Sequence, residues 1–325
     1  MLAIHADHIT HAFGKRTVLD KLSFQISMGE FFGILGMNGA GKTTILRILG
    51  GVLVPTDGSV ALFERGPGES ALNARRSIGI VPELSRLRGS ETAWEHLVAS
   101  GTFHYVAPSD MERRAEELLK LLGLFARRNE KVGTFSKGMK RRLAIAKELV
   151  HYPLILFLDE PTSGLDFESV MVIRNVLRDL NARGVTIVMT THNTEEADRL
   201  CTKVAILHNG KFAALGSPEL LKQSLARERI IEMTAVSIPS AFFQELSRMP
   251  GVEIRGSRGD KCVLLLRDPG RSMMDILGCI VHHRVFLTGL SIRGPSLEDV
   301  MIHHTGLMQR PGSTLAVHWI QRENY

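Results

Sequence analysis

Gly36-Met37-Asn38-Gly39-Ala40-Gly41-Lys42-Thr43 is the stretch that decides the fold. It fits the pattern GxxxxGK[ST], whose glycines let the backbone curl until its N–H groups point inward at phosphate oxygens. Before it, FFGILG at 31–36 is a short apolar run that reads as a buried strand. After it, KTTILRILGGVL from Lys42 has helical spacing and stops at Gly50-Gly51. Strand, glycine loop and helix in that order aim the positive end of the helix dipole at a bound anion. Lys42 is then placed to reach the β- and γ-phosphates of a nucleoside triphosphate, and the Thr43 hydroxyl to ligate its magnesium. Gly36, Asn38, Gly39, Ala40, Gly41 and Thr44 complete the candidate cradle.

A second element strengthens the first. LILFLDEP at 154–161 reads as an apolar strand with Asp159 and Glu160 at its C-terminal edge. Beside a phosphate loop, Asp159 can hold magnesium, usually through water. Glu160 points the other way along the pleat and is free to polarise the water that attacks the γ-phosphorus. Without the glycine loop the same residues would be an ordinary acidic strand end.

Around this centre the pattern alternates strand and helix. Ala3–Ile9 and Thr17–Ser27 read as strands joined through the Gly14-Lys15 turn, and IGIVP at 78–82 as another. From about Ser90 to Val150 the spacing is helical, with Met111–Leu122 and Ser136–Val150 the clearest segments. Glu168–Arg183 is a helix, Val185–Thr190 a strand and Thr194–Leu200 a short helix. Asn209-Gly210 between 203–208 and 211–215 signals a hairpin. At Gly216 the character changes. Ser217 and Pro218 suit the cap and first position of a helix predicted over 218–229. A strand–helix–strand–strand–helix–strand string follows at 230–238, 240–249, 252–258, 261–266, 271–283 and 285–292, which predicts a small α+β domain of ferredoxin-like type. Leu307–Tyr325 has little periodicity and is expected to be a flexible tail.

Composition sets the limits. A chain of 325 residues, 44% hydrophobic, can bury one large core and a smaller second one. Forty basic against thirty-four acidic residues give +6, scattered rather than clustered. That excess suits a phosphate ligand or an anionic membrane surface without requiring nucleic acid. Cys201, Cys262 and Cys279 make no CxxC pair or zinc spacing, so a reduced, cytosolic setting is expected, with Cys262 and Cys279 in the core. The first residues lack the apolar run of a signal peptide, and no stretch has the eighteen or so apolar residues of a membrane span. His282-His283 and His303-His304 are not spaced for one helical face, and no carboxylate is evident to complete a metal site. Lys140-Arg141-Arg142 reads as a solvated helix start.

Several motifs now line up in order, and the chain resembles the ABC ATPase family. Phe135-Ser136-Lys137-Gly138-Met139 is similar to that family's LSGGQ signature. PTSGLD at 161–166 resembles its D-loop, Thr191-His192 its switch histidine, and Val81-Pro82-Glu83 its Q-loop. Phe13 stands where the family has the aromatic that stacks on adenine. The resemblance covers residues 1 to about 220. It implies an α/β P-loop NTPase of ABC type, with a mixed β core and a helical subdomain, that takes ATP and Mg2+. Two copies would pack head to tail, with each ATP between one chain's glycine loop and the other's Ser136 region. Ser136 and Gly138 would contact the γ-phosphate across that interface. Glu160 would be the general base, His192 would hold phosphate and water in line, and Asp166 would couple the two sites. Thr43, Asp159 and Glu83 would surround the magnesium. Lys137 and Met139 depart from the signature's glycine and glutamine, and Lys137 either adds positive charge near the nucleotide or faces solvent. Glu83 replaces a glutamine; an ionised carboxylate cannot donate a hydrogen bond but still binds magnesium-bound water.

The span between Lys42 and Ser136 holds a helical subdomain and no long coiled coil, and the chain has one ATPase unit. Both favour a transporter subunit over the alternative, a soluble ABC-type switch acting on ribosomes or nucleic acid. Gly294-Pro295-Ser296-Leu297-Glu298-Asp299-Val300, followed by His304-Thr305-Gly306, resembles the tail domain of ATPases serving ABC-2 type exporters of the daunorubicin-resistance group. This implies an ABC-2 type permease as partner, a second ATPase subunit in a homodimer, no nucleic acid, and a peripheral place on the cytoplasmic face of the cell membrane. ETAWEHL at 91–97 stands where such subunits receive the permease's coupling helix; Trp94 either lines that groove or packs inside. The expected domains are 1–220 for the ATPase, 221–306 for a linker helix with the accessory domain, and 307–325 for the tail.

Overall fold

The computed structural model describes residues 1–63, 77–225, 228–258, 260–267 and 269–306. Its contacts divide the chain into two units, Met1–Pro218 and Glu219–Tyr325.

In the first unit, β1 (Leu2–Phe13) pairs antiparallel with β2 (Arg16–Ser27) on one side and β4 (Asp57–Leu62) on the other. Alternation in the sequence breaks at Ile9, which is why the strand reads as ending there. The break is an irregularity between Ala6 and Ile9, around His8 at φ +49°, after which the pairing resumes. A second sheet runs β5-β6-β7-β3-β8-β9. Its first five strands, β5 (Ile78–Val81), β6 (Ile155–Asp159), β7 (Thr186–Thr191), β3 (Phe31–Leu35) and β8 (Lys203–His208), are parallel. Strands covered on both faces read as unbroken apolar runs. FFGIL and ILFLD are accordingly buried at every position. β9 (Lys211–Gly216) turns back antiparallel through Asn209-Gly210, both at positive φ as the tight hairpin turn requires.

The order β6-β7-β3 fixes the chemistry. Asp159 pairs with Thr190 and Leu35 with Thr191, so the segments that follow these three strands emerge side by side. Helix α1 (Lys42–Leu49) leaves the glycine loop. Between β5 and β6 the chain forms a helical layer: α2 (Ala93–Phe103), opened by a Thr92–Glu95 capping box, α3 (Pro108–Leu121) and α4 (Lys137–Leu149). Helices α5 (Phe167–Ala182) and α6 (Thr194–Leu200) follow β6 and β7. One reading is corrected here. Arg141 and Arg142 are buried, because α4 is enclosed over most of its length rather than presenting a charged face to water.

In the second unit, α7 (Pro218–Gln223) is shorter than the helix predicted to 229, since β10 (Arg229–Ala235) already begins there. β11 (Val252–Arg258), β12 (Lys261–Leu266) and β13 (Leu287–Arg293) complete a sheet in the order β11-β12-β10-β13, antiparallel throughout. With α8 (Ser240–Leu246) and α9 (Pro269–His282), this is the ferredoxin-like arrangement. Phe242, Leu246, Ile276 and Cys279 from the helices pack on Ile231, Met233 and Leu264 from the sheet. A last helix, α10 (Leu297–Thr305), starts at a Ser296–Asp299 capping box. Arg293 holds Asp299 at 2.6 Å and Glu232 at 2.9 Å. The expected tail, 307–325, lies outside the described residues. A carboxylate does stand beside the first histidine pair: Glu245 Oε2 is 2.6 Å from His283 Nε2, and the ligand atoms of Glu245, His282 and His283 lie within 4.8 Å of one another. Its 38-residue separation from His283 hides it in the sequence. Among the described residues no helix is long and apolar enough to cross a membrane.

Phe242 is fully buried in the smaller core. Phe242→Ala is expected to cost the second unit about 3–5 kcal/mol, the range for emptying a buried aromatic site. Faster amide exchange along β10 and β12, with chemical denaturation, measures it.

Candidate nucleotide site

The loop at 36–41 is shaped by what its glycines exclude. A Cβ on Gly36 would stand 2.6 Å from the Leu207 carbonyl oxygen, and one on Gly41 2.8 Å from Leu19 Cδ2. Gly39 and Gly41 also adopt φ of +80° and +106°, which side chains rarely tolerate. The Gly36 N–H donates to the Thr191 carbonyl at 3.3 Å, fastening the loop to β7. Lys42 folds back under it. Its Nζ donates to the carbonyls of Gly36 (2.8 Å) and Met37 (3.3 Å) and lies 3.1 Å from Glu160 Oε1. An ammonium with a side chain only 7% exposed needs such a counter-charge.

Asp159 ends β6, and Glu160 follows it outside the strand, so the pleat does not set the direction of its side chain. Asp159 Oδ1 accepts from the hydroxyls of Thr43 (3.2 Å) and Thr190 (2.6 Å). Glu160 sits at φ +46°, in the left-handed region. Its N–H donates to the carbonyl and the hydroxyl of Thr190 at 3.2 and 3.1 Å. Its Oε2 lies 2.8 Å from His192 Nδ1. Burial alone would raise the Glu160 pKa, but the His192 hydrogen bond and the Lys42 charge outweigh it and hold the carboxylate below its ordinary value. The same hydrogen bond to Glu160 raises His192 against its own partial burial.

Lys42, Thr43, Glu160 and His192 line a cavity of about 470 Å³ together with Phe13, Asn38, Gly39, Gly41, Thr44 and Glu83; Gly36, Ala40 and Asp159 are not among its lining residues. Phe13 is 56% exposed at its edge and makes an edge contact with His11. Arg16, Val18 and Ser163 also line it; no sequence pattern pointed to Arg16 and Val18, while Ser163 belongs to the PTSGLD stretch, of which only Asp166 was singled out. Thr190, whose hydroxyl donates to the Asp159 carboxylate and accepts from the Glu160 N–H, was legible in principle from the pairing of the two parallel strands.

Ser136, Gly138 and Asp166 do not line this cavity. Ser136 caps α4 by accepting from the Met139 N–H at 3.2 Å. A Cβ on Gly138 would collide with Ser169. Asp166 caps α5 through the Ser169 N–H (2.8 Å) and hydroxyl (3.0 Å). Lys137 donates to the Ser163 carbonyl at 3.1 Å, and Met139 is buried, with its sulfur 3.2 Å from Arg127 Nη1.

The ABC transporter family profile matches residues 19–163. The linearmycin resistance ATP-binding protein LnrL of Bacillus subtilis (strain 168) is 32% identical over 306 residues, 93% of this chain and 98% of its own. The Nod factor export ATP-binding protein I of Rhizobium sp. (strain N33) is 36% identical over 307 residues, 94% and 97% of the two chains. The chain belongs to the ABC transporter ATP-binding proteins. Among solved structures, an ATP-binding subunit of an ABC transporter superposes with a TM-score of 0.63 at 27% identity, covering 68% of this chain and 92% of that one. A nucleotide-free ATP-binding cassette from an ABC transporter, at 23% identity and a TM-score of 0.61, shares the fold. As a member of this family the protein is an ATPase that powers a transporter.

The Glu160–His192 pair makes stability depend on pH in a defined window. Glu160's contribution, from a lowered pKa, is present above its unfolded value of 4.5 and is lost as pH falls through the folded one. His192's contribution, from a raised pKa, is present below its unfolded value of 6.5 and is lost as pH rises through the folded one. His192→Ala is therefore expected to lower Tm more at about pH 5.5 than at about pH 8.5. Equal losses at both would remove the pair from the account.

Proposed function

We propose that this chain is the ATP-hydrolysing subunit of an ABC-2 type exporter, working as a homodimer beneath a separate permease on the cytoplasmic face of the cell membrane. One observation carries the hydrolytic part: Lys42, Glu160 and His192 meet at 2.8–3.1 Å beside the Thr43–Asp159 pair, at the ends of three adjacent strands. The γ-phosphate of ATP competes with Glu160 for Lys42. Its arrival frees a carboxylate that is already ionised at neutral pH to take the proton of the attacking water. His192, held to Glu160 through Nδ1, orients water and phosphate together. Loop amides and the start of α1 carry the remaining phosphate charge.

The Thr43 hydroxyl and the Asp159 carboxylate are converging hard oxygen donors, the chemistry that suits magnesium. They would hold the ion; Glu83 lines the cavity that Thr43 also lines. Magnesium supplies neutralisation of the phosphate oxygens as charge shifts to the leaving group.

What the cavity omits supports a homodimer. Ser136, Gly138 and Asp166 lie outside it, yet α4 presents its N-terminal end at an exposed Ser136. A second copy, packed head to tail, would bring that end to the γ-phosphate. Export through a permease is supported by relatives whose names are linearmycin resistance and Nod factor export, since the match spans nearly all of each. A groove of about 860 Å³ supports the permease contact; His96, Ser100 and Phe103 line it, with Glu148 and Ile80 opposite. Trp94 is not among its lining residues and is half-buried.

Glu160→Gln is expected to reduce Mg-ATP turnover at least about a hundredfold while ATP binding persists and a dimer accumulates on size exclusion. Full activity in that variant would remove Glu160 as base. Thr43→Ala is expected to shift the magnesium dependence of hydrolysis to higher concentration. For the partner, co-purification from detergent-solubilised membranes should yield a multi-span protein; recovery with ribosomes instead would favour the soluble switch.

A further inference from the structure

Arg141 is buried in α4, five residues after the helix cap Ser136, and its guanidinium touches no carboxylate directly. All its hydrogen bonds given by the structure go to backbone carbonyls of two loops. Nε donates to Pro161 O at 3.0 Å and Nη2 to Asp159 O, the carbonyls on either side of Glu160. Nη1 donates to Pro82 O and, at 3.3 Å, to Glu83 O in the loop after β5. One planar fork thus joins the signature helix, the strand end bearing both catalytic carboxylates, and the loop bearing Glu83.

Glu160 gives this arrangement a purpose. A non-glycine residue at φ +46° is held there only when its surroundings over-determine the backbone. Thr190 fixes its N–H, and Arg141 fixes the carbonyls before and after it. We infer that Arg141 is a positioning residue: it holds Glu160 in its left-handed geometry, and it locks that geometry to the signature helix and to the Glu83 loop. This rests on Glu160 as the base proposed above. When α4 shifts as its N-terminal end engages a nucleotide, the carbonyls of Asp159, Pro161, Pro82 and Glu83 shift with it. The aim of the base and the far wall of the metal site therefore respond together.

Arginine is required by the geometry. The bonds diverge from three nitrogens of a rigid plane, which the single ammonium of lysine cannot reproduce. Burial lowers the Arg141 pKa to about 10, so the group stays charged at neutral pH. Its neighbour Arg142 is the natural control. It is also buried in α4, but its bond runs to Leu122 O, away from the site.

The test compares full-length wild type with Arg141→Lys, Arg141→Gln and Arg142→Lys. For both Arg141 variants, kcat is expected to fall about tenfold or more, with KM and the Kd for ATP within about threefold of wild type. Amide exchange at 82–84 and 159–163 should quicken in them and not in Arg142→Lys. Wild-type kcat in Arg141→Lys, a rise in KM at constant kcat, or an equal kcat loss in Arg142→Lys would each overturn the inference. Amide exchange reads the clamp without reference to turnover. Unchanged exchange at these loops in both Arg141 variants therefore defeats it even if the wild-type chain hydrolyses no ATP, a result that by itself would count against the proposed function.

Discussion

The site depends on one unshared positive charge. Lys42 is drawn under the glycine loop by its own carbonyls, and burial there is tolerable only with Glu160 as counter-ion. In the proposed reading the anion that replaces Glu160 reaches the same ammonium, so ligand binding and release of the base are one exchange. That is economical for phosphoryl transfer, in which the protein contributes mainly position and charge. It also explains why the carboxylate's pKa is held down although burial works in the opposite direction.

The strands were readable because physics leaves few options. Glycine spacing, a lysine and a threonine after a buried apolar run admit hardly any arrangement but a loop between strand and helix. Asp159 and Glu160 were expected to take two roles because adjacent pleat positions point apart, but Glu160 lies beyond β6 at positive φ, and it is that left-handed turn which separates their partners. Three things were not legible. Arg141 looked like surface because a basic triplet at a helix start usually is, and only tertiary enclosure of α4 reverses that. Arg16 and Val18 reach the cavity through sheet placement that no local pattern encodes, whereas Ser163 lies in the PTSGLD stretch. The Lys137 contact was the third: the side chain is exposed, as one of its two readings had it, and its ammonium also donates to the carbonyl of Ser163, which lines the cavity.

The second unit shows the same division. Its strand–helix alternation was plain in the sequence, and the antiparallel order β11-β12-β10-β13 is the arrangement such a string favours. Helix ends were less legible. The linker helix ends at Gln223, and β10 begins at Arg229, the position to which the helix was predicted to run. Glu245 came to the His282–His283 pair only through packing of α8 on α9.

The hairpin tip at Gly210 carries a less obvious burden. Its carbonyl accepts from the Asp20 N–H at 2.9 Å, and an added methyl would stand 2.5 Å from the Val18 carbonyl oxygen. Val18 in turn faces the nucleotide cavity. The two sheets are therefore spaced, at this seam, by the thinness of a single residue. Genetic variation at such a spacer would masquerade as damage to ligand recognition, although the altered atom never approaches the ligand.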